Sequence, residues 1–180
     1  RDAANGRRAL IRLRRMEIPA DRRQYSAAWL WMQARPDLYR ENLGFADFGD
    51  FCKPELIDAI DLLIESASPD TPEQWSPLAM CSLVYRGSRT CQFSLILPPK
   101  LPNIPAILAI LPELERLYFE DLGFTTVYVS WPAEPQFLTP RRLAGKFGWR
   151  QVGDWRYEFT IIEYLERRNL VTEKPTGQSS

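Results

Sequence analysis

The stretch over residues 90–129 constrains the fold of this chain more than any other part of the sequence. It holds an apolar run, a proline-rich bend, a long apolar segment ended by Leu-Gly-Phe, and a run rich in β-branched residues. That order is typical of a β-α-β crossover, which joins two strands of one sheet through a helix on its face. We therefore predict parallel strands over residues 90–97 and 125–130, with a helix over residues 105–121 crossing the sheet.

The helix of this crossover carries recognisable start, stop and kink signals. Asn103 is a candidate N-cap, and Gly123 can adopt the positive φ that ends a helix. Pro112 removes a backbone donor within the helix, so a kink is expected over residues 108–111. A second interpretation stays open, in which residues 106–111 form a strand and the helix begins at Pro112.

The N-terminal half predicts one strand and two helices. Residues 9–17 alternate apolar and charged side chains, which indicates a half-buried strand. Asp21 is a candidate N-cap for a helix that ends near Arg35, because Pro36 disfavours helix before it. A second helix is expected after Asp50, with an apolar stripe facing the core. The stripe consists of Leu56, Ile57, Ile60, Leu63 and Ile64.

The rest of the chain is divided by turn residues. Gly87 separates apolar runs at residues 78–85 and 90–97, a pattern that indicates a β-hairpin. The remaining predicted elements are a short helix from Thr139 to Gly148 and strands over residues 150–153 and 157–162. The whole order predicts an α/β (α+β) fold, a mixed central sheet of about six strands with helices on both faces. Residues 1–168 are expected to form one domain and residues 169–180 a disordered polar tail.

The composition excludes several classes of chemistry. The 180-residue chain contains no histidine, which rules out Ser-His-Asp and Cys-His nucleophile systems and histidine metal sites. Cys52, Cys81 and Cys91 are too few for a four-thiolate zinc site and are expected to be reduced thiols in a cytoplasmic protein. Lys+Arg and Asp+Glu number 23 each, so no net charge attracts nucleic acid or a membrane. We expect neither as a partner, although an arginine cluster that includes Arg12 and Arg14 could contact an anion.

The predicted element order over roughly residues 8 to 162 resembles the GCN5-related N-acetyltransferase (GNAT) superfamily. The segment LERLYFEDLGFTTVYVSW resembles its central helix and fifth strand. The segment LTPRRLAGKFGWRQVGDWRYEF resembles the following helix and the last hairpin. In that superfamily acyl-coenzyme A lies between the fourth and fifth strands, and backbone amides of the loop that opens the central helix hold its pyrophosphate. The resemblance therefore implies acetyl-CoA or another acyl-CoA as cofactor, with no metal.

The loop that would hold the pyrophosphate departs from the superfamily pattern. Its usual sequence is Arg/Gln-x-x-Gly-x-Gly/Ala, of which only Ala106 is present here. Pro102 and Pro105 have no amide hydrogen to donate to a phosphate. A tyrosine that commonly serves as general acid corresponds to Ala144. The resemblance assigns cofactor binding to Leu97, Lys100, Leu101, Asn103, Ile104 and Ala106.

The sequence supports two functions of different classes. The first is an acyltransferase that moves an acyl (acetyl) group from acyl-coenzyme A to an amine or hydroxyl of a small molecule or protein. Its candidate catalytic residues are Glu134 just past the fifth strand, Tyr128 on that strand and Glu158 on the last strand. A carboxylate or water would remove the acceptor proton. The second is a catalytically inactive GNAT-like domain that binds a protein partner or serves in assembly.

Overall fold

The computed structural model describes residues 9–36, 47–52, 59–99, 104–130, 138–154 and 156–172. The strands are β1 (Leu10–Arg15), β2 (Ala59–Ala67), β3 (Ser76–Tyr85), β4 (Thr90–Ile96), β5 (Thr126–Ser130), β6 (Arg150–Gln151) and β7 (Arg156–Thr160). The helices are α1 (Arg22–Gln33), α2 (Phe48–Phe51), α3 (Ile104–Ala109), α4 (Leu111–Arg116), α5 (Leu138–Lys146) and α6 (Ile161–Thr172). Helix α4 continues into a π-helical turn at Leu117–Asp121. The described strands form one seven-stranded sheet in the order β1-β2-β3-β4-β5-β7-β6.

Helices cover both faces of the sheet, as predicted. On one face the main core packs α3 and α4 against the strands, with Leu114 and Tyr118 fully buried. On the other face α1 packs Tyr25, Ala28 and Met32 against Met80 and Ile96 of the central strands. We call these the α4 face and the α1 face of the sheet.

The predicted crossover is confirmed. Strands β4 and β5 run parallel, and every other neighbouring pair of the sheet is antiparallel. The connecting helix is interrupted at Ile110, directly before the proline-containing α4, so the expected kink is present. Residues 106–109 are helical, and the alternative strand interpretation is therefore wrong. Gly123 has a φ of 67° and follows the π-helical turn, which confirms its role in ending the helix.

Strand β2 occupies residues that the sequence pattern assigned to a helix. It pairs antiparallel with β1 and β3, so Ile60, Leu63 and Ile64 are strand residues, while Leu56 and Ile57 lie outside the described residues. Residues 62–64 are all buried, because helices pack on both faces of the sheet here. A strand buried on both faces does not alternate apolar with polar residues, and its short apolar run is indistinguishable from a helix stripe.

Helix capping also differs from the prediction at two positions. The carboxylate of Asp47, and not that of Asp50, caps α2 by accepting a 3.0 Å hydrogen bond from the Asp50 N–H. Asp21 does precede α1, but its side chain caps nothing there. It accepts instead from the Glu17 N–H at 2.8 Å and pairs with Arg14. Asp21 therefore ties the β1–α1 connection to β1.

The C-terminal part holds a helix that the sequence did not predict. Strand β7 ends at Thr160, and α6 begins directly after it and continues to Thr172. The predicted strand end at Ile162 and the tail predicted from residue 169 are thus helical as far as residue 172. Glu163 stabilises the start of α6 directly after β7, because its carboxylate accepts a hydrogen bond from the Thr160 N–H at 2.8 Å and so caps the helix. Helix α5 likewise begins at Leu138, before the predicted cap at Thr139.

Gly148 provides a stability test at the end of α5. Its φ is 72°, and a Cβ added there would lie 2.6 Å from Nη2 of Arg167. We expect Gly148→Ala to lower the free energy of unfolding by about 1–2 kcal/mol, because an L side chain is strained at this φ. The measurement is urea denaturation of the variant beside the parent.

Gly145→Ala is the matched control for this change. Gly145 lies inside α5, and a Cβ there would meet nothing within 4 Å. Alanine should therefore leave the stability unchanged or raise it by up to ~1 kcal/mol. Equal effects of the two substitutions would contradict the turn geometry described for Gly148.

Candidate functional site

The two parallel strands separate in the middle of the sheet. Their ladder joins Thr90 to Thr126, Cys91 to Val127 and Gln92 to Tyr128, and it ends there. Beyond this point β4 stays paired with β3 as far as Ile96, and β5 stays paired with β7 as far as Ser130. Residues 93–96 and 129–130 therefore face each other without pairing, and we call this gap the β4–β5 opening. It lies at the carboxyl ends of two parallel strands, where open α/β sheets commonly bind ligands.

Polar side chains cross the α1 face of the sheet at the start of this opening. Residues paired directly across strands share a face. Gln92 is paired with Tyr128, and Tyr128 is paired in turn with Glu158 of β7. Two of the three predicted catalytic residues are thus brought side by side, although they are far apart in the sequence. The third, Glu134, lies outside the described residues.

Arg156 completes this group, and the sequence analysis missed it. Its Nε lies 2.6 Å from Oε1 of Glu158, and its guanidinium lies 3.9 Å from the centre of the Tyr128 ring. The signal for it was present, because RYEFT alternates polar and apolar residues and so places Arg156 on the face of Glu158. The side chain of Glu158 is 19% exposed, so its carboxylate is shielded but still reachable.

These three side chains bring ionisable groups together in a partly dry setting at the opening. Glu158 can accept a proton, Tyr128 can donate or accept one, and Arg156 holds both in place. Cys91 and Val127 point to the opposite face and are fully buried there. The ionisable side chains at the opening therefore lie on the α1 face.

The predicted cofactor residues fall at the far end of β4 and the start of α3. Leu97 directly follows β4 and packs against the main core. Ile104 is the first residue of α3, and Ala106 is a buried residue of its first turn. Lys100, Leu101 and Asn103 lie outside the described residues, so their roles stay predictions. Any contribution of Ala106 to a ligand would come from its backbone.

Ala144 is the position of the general acid in the resembled superfamily. It lies in α5, is 1% exposed and belongs to the main core. A methyl group has no transferable proton, so this position cannot supply a general acid. Tyr128 is the phenol that the described residues place at the β4–β5 opening.

The arginines of β1 form structural ion pairs. Nε of Arg12 lies 2.7 Å from Oε2 of the buried Glu65, and Nε of Arg14 lies 3.3 Å from the same atom. The guanidinium of Arg12 also stacks on the Trp75 ring, 4.0 Å from its centre. These contacts account for Arg12 and Arg14 without an anionic partner.

The three cysteines are free thiols. Burial raises the pKa of Cys91 to about 12 and also raises the pKa of Cys81, whereas Cys52 is only half-buried at the end of α2. Because the thiolate is the reactive form, we expect Cys81 and Cys91 to be modified much more slowly than Cys52. The measurement is site-resolved mass spectrometry after timed alkylation of the native protein, with the urea-unfolded protein as control. Modification of Cys81 or Cys91 at the unfolded rate would contradict their burial.

The described residues hold no group of three or more His, Cys, Asp or Glu side chains suited to a metal ion. None of the helices resolved in the described ranges has the length and apolar character needed to cross a bilayer.

The comparisons with known proteins identify the fold. No protein-family model matches the sequence, and no curated protein matches it. Solved structures of N-acetyltransferases do match the fold. A chimera of the Vibrio cholerae spermidine N-acetyltransferase SpeG and hSSAT gives a TM-score of 0.63 at 14% identity, covering 87% of this chain and 99% of that chain.

Two other structures of the Vibrio cholerae protein agree. The complex with CoA and spermine has a TM-score of 0.63 at 14% identity and covers 86% of this chain and 98% of that chain. A dodecameric structure has a TM-score of 0.61 at 13% identity and covers 87% and 97%. The chain therefore has the α/β fold of these N-acetyltransferases, which confirms the fold that the resemblance implied.

Proposed function

We propose that this protein transfers an acyl group, such as acetyl, from acyl-coenzyme A to the amine of a small molecule. The observation that carries the proposal is the β4–β5 opening with Tyr128, Arg156 and Glu158 together at its start. The structurally similar proteins are spermidine N-acetyltransferases, and one of their structures holds CoA and spermine. An inactive binding module is not favoured, because it would need no acid–base group at this position.

The parted strands fit the acyl donor. Acyl-coenzyme A supplies a thioester, whose carbonyl carbon accepts the amine and whose sulfur leaves. Residues 93–96 and 129–130 do not use their facing backbone groups to pair with each other, so an amide there can polarise a carbonyl oxygen. The extended pantetheine chain can likewise lie along these strand edges. We assign the thioester to this opening.

Glu158 and Tyr128 divide the proton transfers. As the bond between nitrogen and carbonyl carbon forms, Glu158 accepts a proton from the nitrogen. Tyr128 donates a proton to the departing sulfur and is reprotonated by Glu158, its neighbour across the ladder. Arg156 orients both groups by its ion pair with Glu158 and its stacking on Tyr128.

The pyrophosphate is assigned to the connection between β4 and α3. Leu97, Lys100, Leu101, Asn103, Ile104 and Ala106 would hold it, mainly through backbone amides and the charge of Lys100. Pro98, Pro99, Pro102 and Pro105 remove four of the possible amide donors in this region. We therefore expect weaker donor binding than a glycine-rich loop gives, with Lys100→Ala weakening it further.

The test is transfer of acetyl from isotopically labelled acetyl-coenzyme A to a panel of amines, followed by mass spectrometry of the acceptor. The panel contains polyamines, amino acids and aromatic amines, with the matching alcohols beside them. The expected result is labelled amide from at least one amine, and its loss in Tyr128→Phe and Glu158→Gln. Binding of acetyl-coenzyme A without transfer to any acceptor would contradict the proposal. The free thiols support a cytoplasmic setting for this reaction.

A further inference from the structure

Asp61 is a buried carboxylate that the proposed reaction has not used. It lies in β2 on the α1 face and is 6% exposed. The Tyr25 hydroxyl donates to its Oδ2 at 2.7 Å, and Ser82 of the neighbouring strand also hydrogen bonds to it. Both partners are neutral hydroxyls. Among the described residues no arginine or lysine forms an ion pair with Asp61. This is unusual, because buried carboxylates are normally paired with a cation.

The sheet register leads from Asp61 to the β4–β5 opening. Asp61 is paired with Ser82 of β3, and Ser82 is paired with Ser94 of β4. Ser94 is the first residue on the α1 face of β4 after the ladder with β5 ends. Ser82 and Ser94 are thus successive cross-strand neighbours in one row on the α1 face, between the buried carboxylate of Asp61 and the edge of the opening.

The surroundings of Asp61 suit a proton acceptor. Its titratable neighbours are Tyr25 from α1, Cys52 at the end of α2, and Cys81 in β3. Burial raises the pKa of Asp61 above its ordinary value, and the hydrogen bonds from Ser82 and Tyr25 oppose part of that rise. A carboxylate whose pKa lies closer to neutral pH is a better proton acceptor there. A purely structural role would be served as well by asparagine, which also accepts from a tyrosine hydroxyl.

We propose that Asp61 takes up the first proton of the acceptor ammonium group, relayed through Ser94 and Ser82. The inference rests on the proposed function. An ammonium group must lose one proton before its nitrogen can attack. That proton passes to the Ser94 hydroxyl as Ser94 gives its own to Ser82 and Ser82 gives its own to Asp61. The C–N bond then forms, the C–S bond breaks with its electron pair on sulfur, and the second proton takes the route through Glu158 and Tyr128. Asp61 afterwards releases its proton to solvent.

The first experiment measures the pH dependence of kcat for Asp61→Asn, Ser94→Ala and the parent. We expect at least a ~100-fold lower kcat in each variant, the low end for lost proton transfer. In Asp61→Asn the part of the acid limb that reports protonation of Asp61 should disappear. The double variant should be no slower than the slower single variant, because both changes break one path. Ser76→Ala, at the outer end of β3 and outside this row, is the matched control and should keep the parent profile.

The second measurement separates this role from a structural one. A folded-state pKa above the unfolded value means that stability is present at low pH and is lost as pH rises through the folded pKa. Asp61→Asn removes that loss, so its Tm at neutral pH should equal or exceed that of the parent. Tyr25→Phe, which leaves the relay intact, should lower Tm and keep the acid limb.

The outcomes distinguish the relay from the wider proposal. Parent-like kcat and acid limb in Asp61→Asn, with a lowered Tm, would show that Asp61 only anchors α1 to the sheet and would overturn the relay alone. No transfer by the parent to any amine would overturn the proposed function, and the relay with it. A 13C titration of the Asp61 carboxyl needs no turnover: removing the Ser82 hydroxyl should raise its midpoint, and an unchanged midpoint would contradict the hydrogen bond that begins the relay.

Discussion

Glu158→Gln is expected to lower kcat of acetyl transfer by ~10²–10³-fold, the range for loss of a positioned general base. Glutamine keeps the size of the side chain but cannot accept the proton of the attacking nitrogen. The KM for acetyl-coenzyme A should change little, because the donor is assigned to the strand edges and not to this carboxylate. The measurement is steady-state kinetics with the best acceptor from the amine panel.

The control for this change is Glu166→Gln. Glu166 is an exposed residue of α6 and carries the same chemistry away from the β4–β5 opening. It should leave kcat and KM unchanged. In Glu158→Gln, loss of the ion pair between Glu158 and Arg156 is expected to lower the free energy of unfolding by at most ~1 kcal/mol, as for other partly exposed pairs. If kcat of Glu158→Gln is within a factor of 3 of the parent value, Glu158 is not the general base.

Phe159→Ala is expected to lower the free energy of unfolding by ~3–5 kcal/mol, the cost of emptying a buried aromatic site. Phe159 is 0% exposed and lies one residue beyond Glu158 on the opposite face of β7. Its ring is 5.4 Å from that of Phe119, and the Arg167 guanidinium lies 4.4 Å from its centre. Denaturation by urea with the fluorescence of the tryptophans as signal measures the change.

Ile162→Ala is the matched control for this substitution. Ile162 is 66% exposed on α6, so removing its side chain should change the stability by less than ~0.5 kcal/mol. The difference between the two variants tests which side chains of β7 point into the core. A shift of register by one residue would exchange the faces of Phe159 and Glu158. A loss below ~1 kcal/mol for Phe159→Ala would therefore contradict the face assigned to Glu158 as well.

The sequence predicted the crossover well because each of its boundaries has its own local signal. Gly123 adopts the positive φ that only glycine accepts easily, and the proline in α4 breaks the helix where the pattern indicates. The β-branched run of β5 is short and unambiguous. These local signals fixed the direction of β4 relative to β5, and with it the position of the opening.

The same reasoning failed for β2 because the environment of that strand is not local. Burial on both faces comes from helices packed on either side, and the apolar run of residues 62–64 then resembles a helix stripe. The error also hid Asp61, because the predicted helix leaves this residue off its apolar stripe while the structure buries it against Tyr25. The incorrect assignment of this segment to a helix therefore concealed its most unusual feature, the buried carboxylate of Asp61.

The candidate site was predictable in part. Tyr128 and Glu158 were selected as polar residues on strands beside the crossover, but their contact depends on the pairing of β5 with β7. Arg156 could have been selected from its alternation with Glu158, since both lie on one face of a short strand. The row from Asp61 through Ser82 to Ser94 could not, because three strands had to be placed in register first.

Backbone amide chemical shifts can show where the acyl donor binds on the sheet. Acetyl-coenzyme A is titrated into the isotopically labelled protein, and the amide shifts are mapped onto the sheet. If the donor lies in the β4–β5 opening, saturable shifts are expected at residues 93–96 of β4, 129–130 of β5 and the first turn of α3, with β1 unaffected. Shifts centred elsewhere, or none at millimolar acetyl-coenzyme A, would contradict this location of the donor.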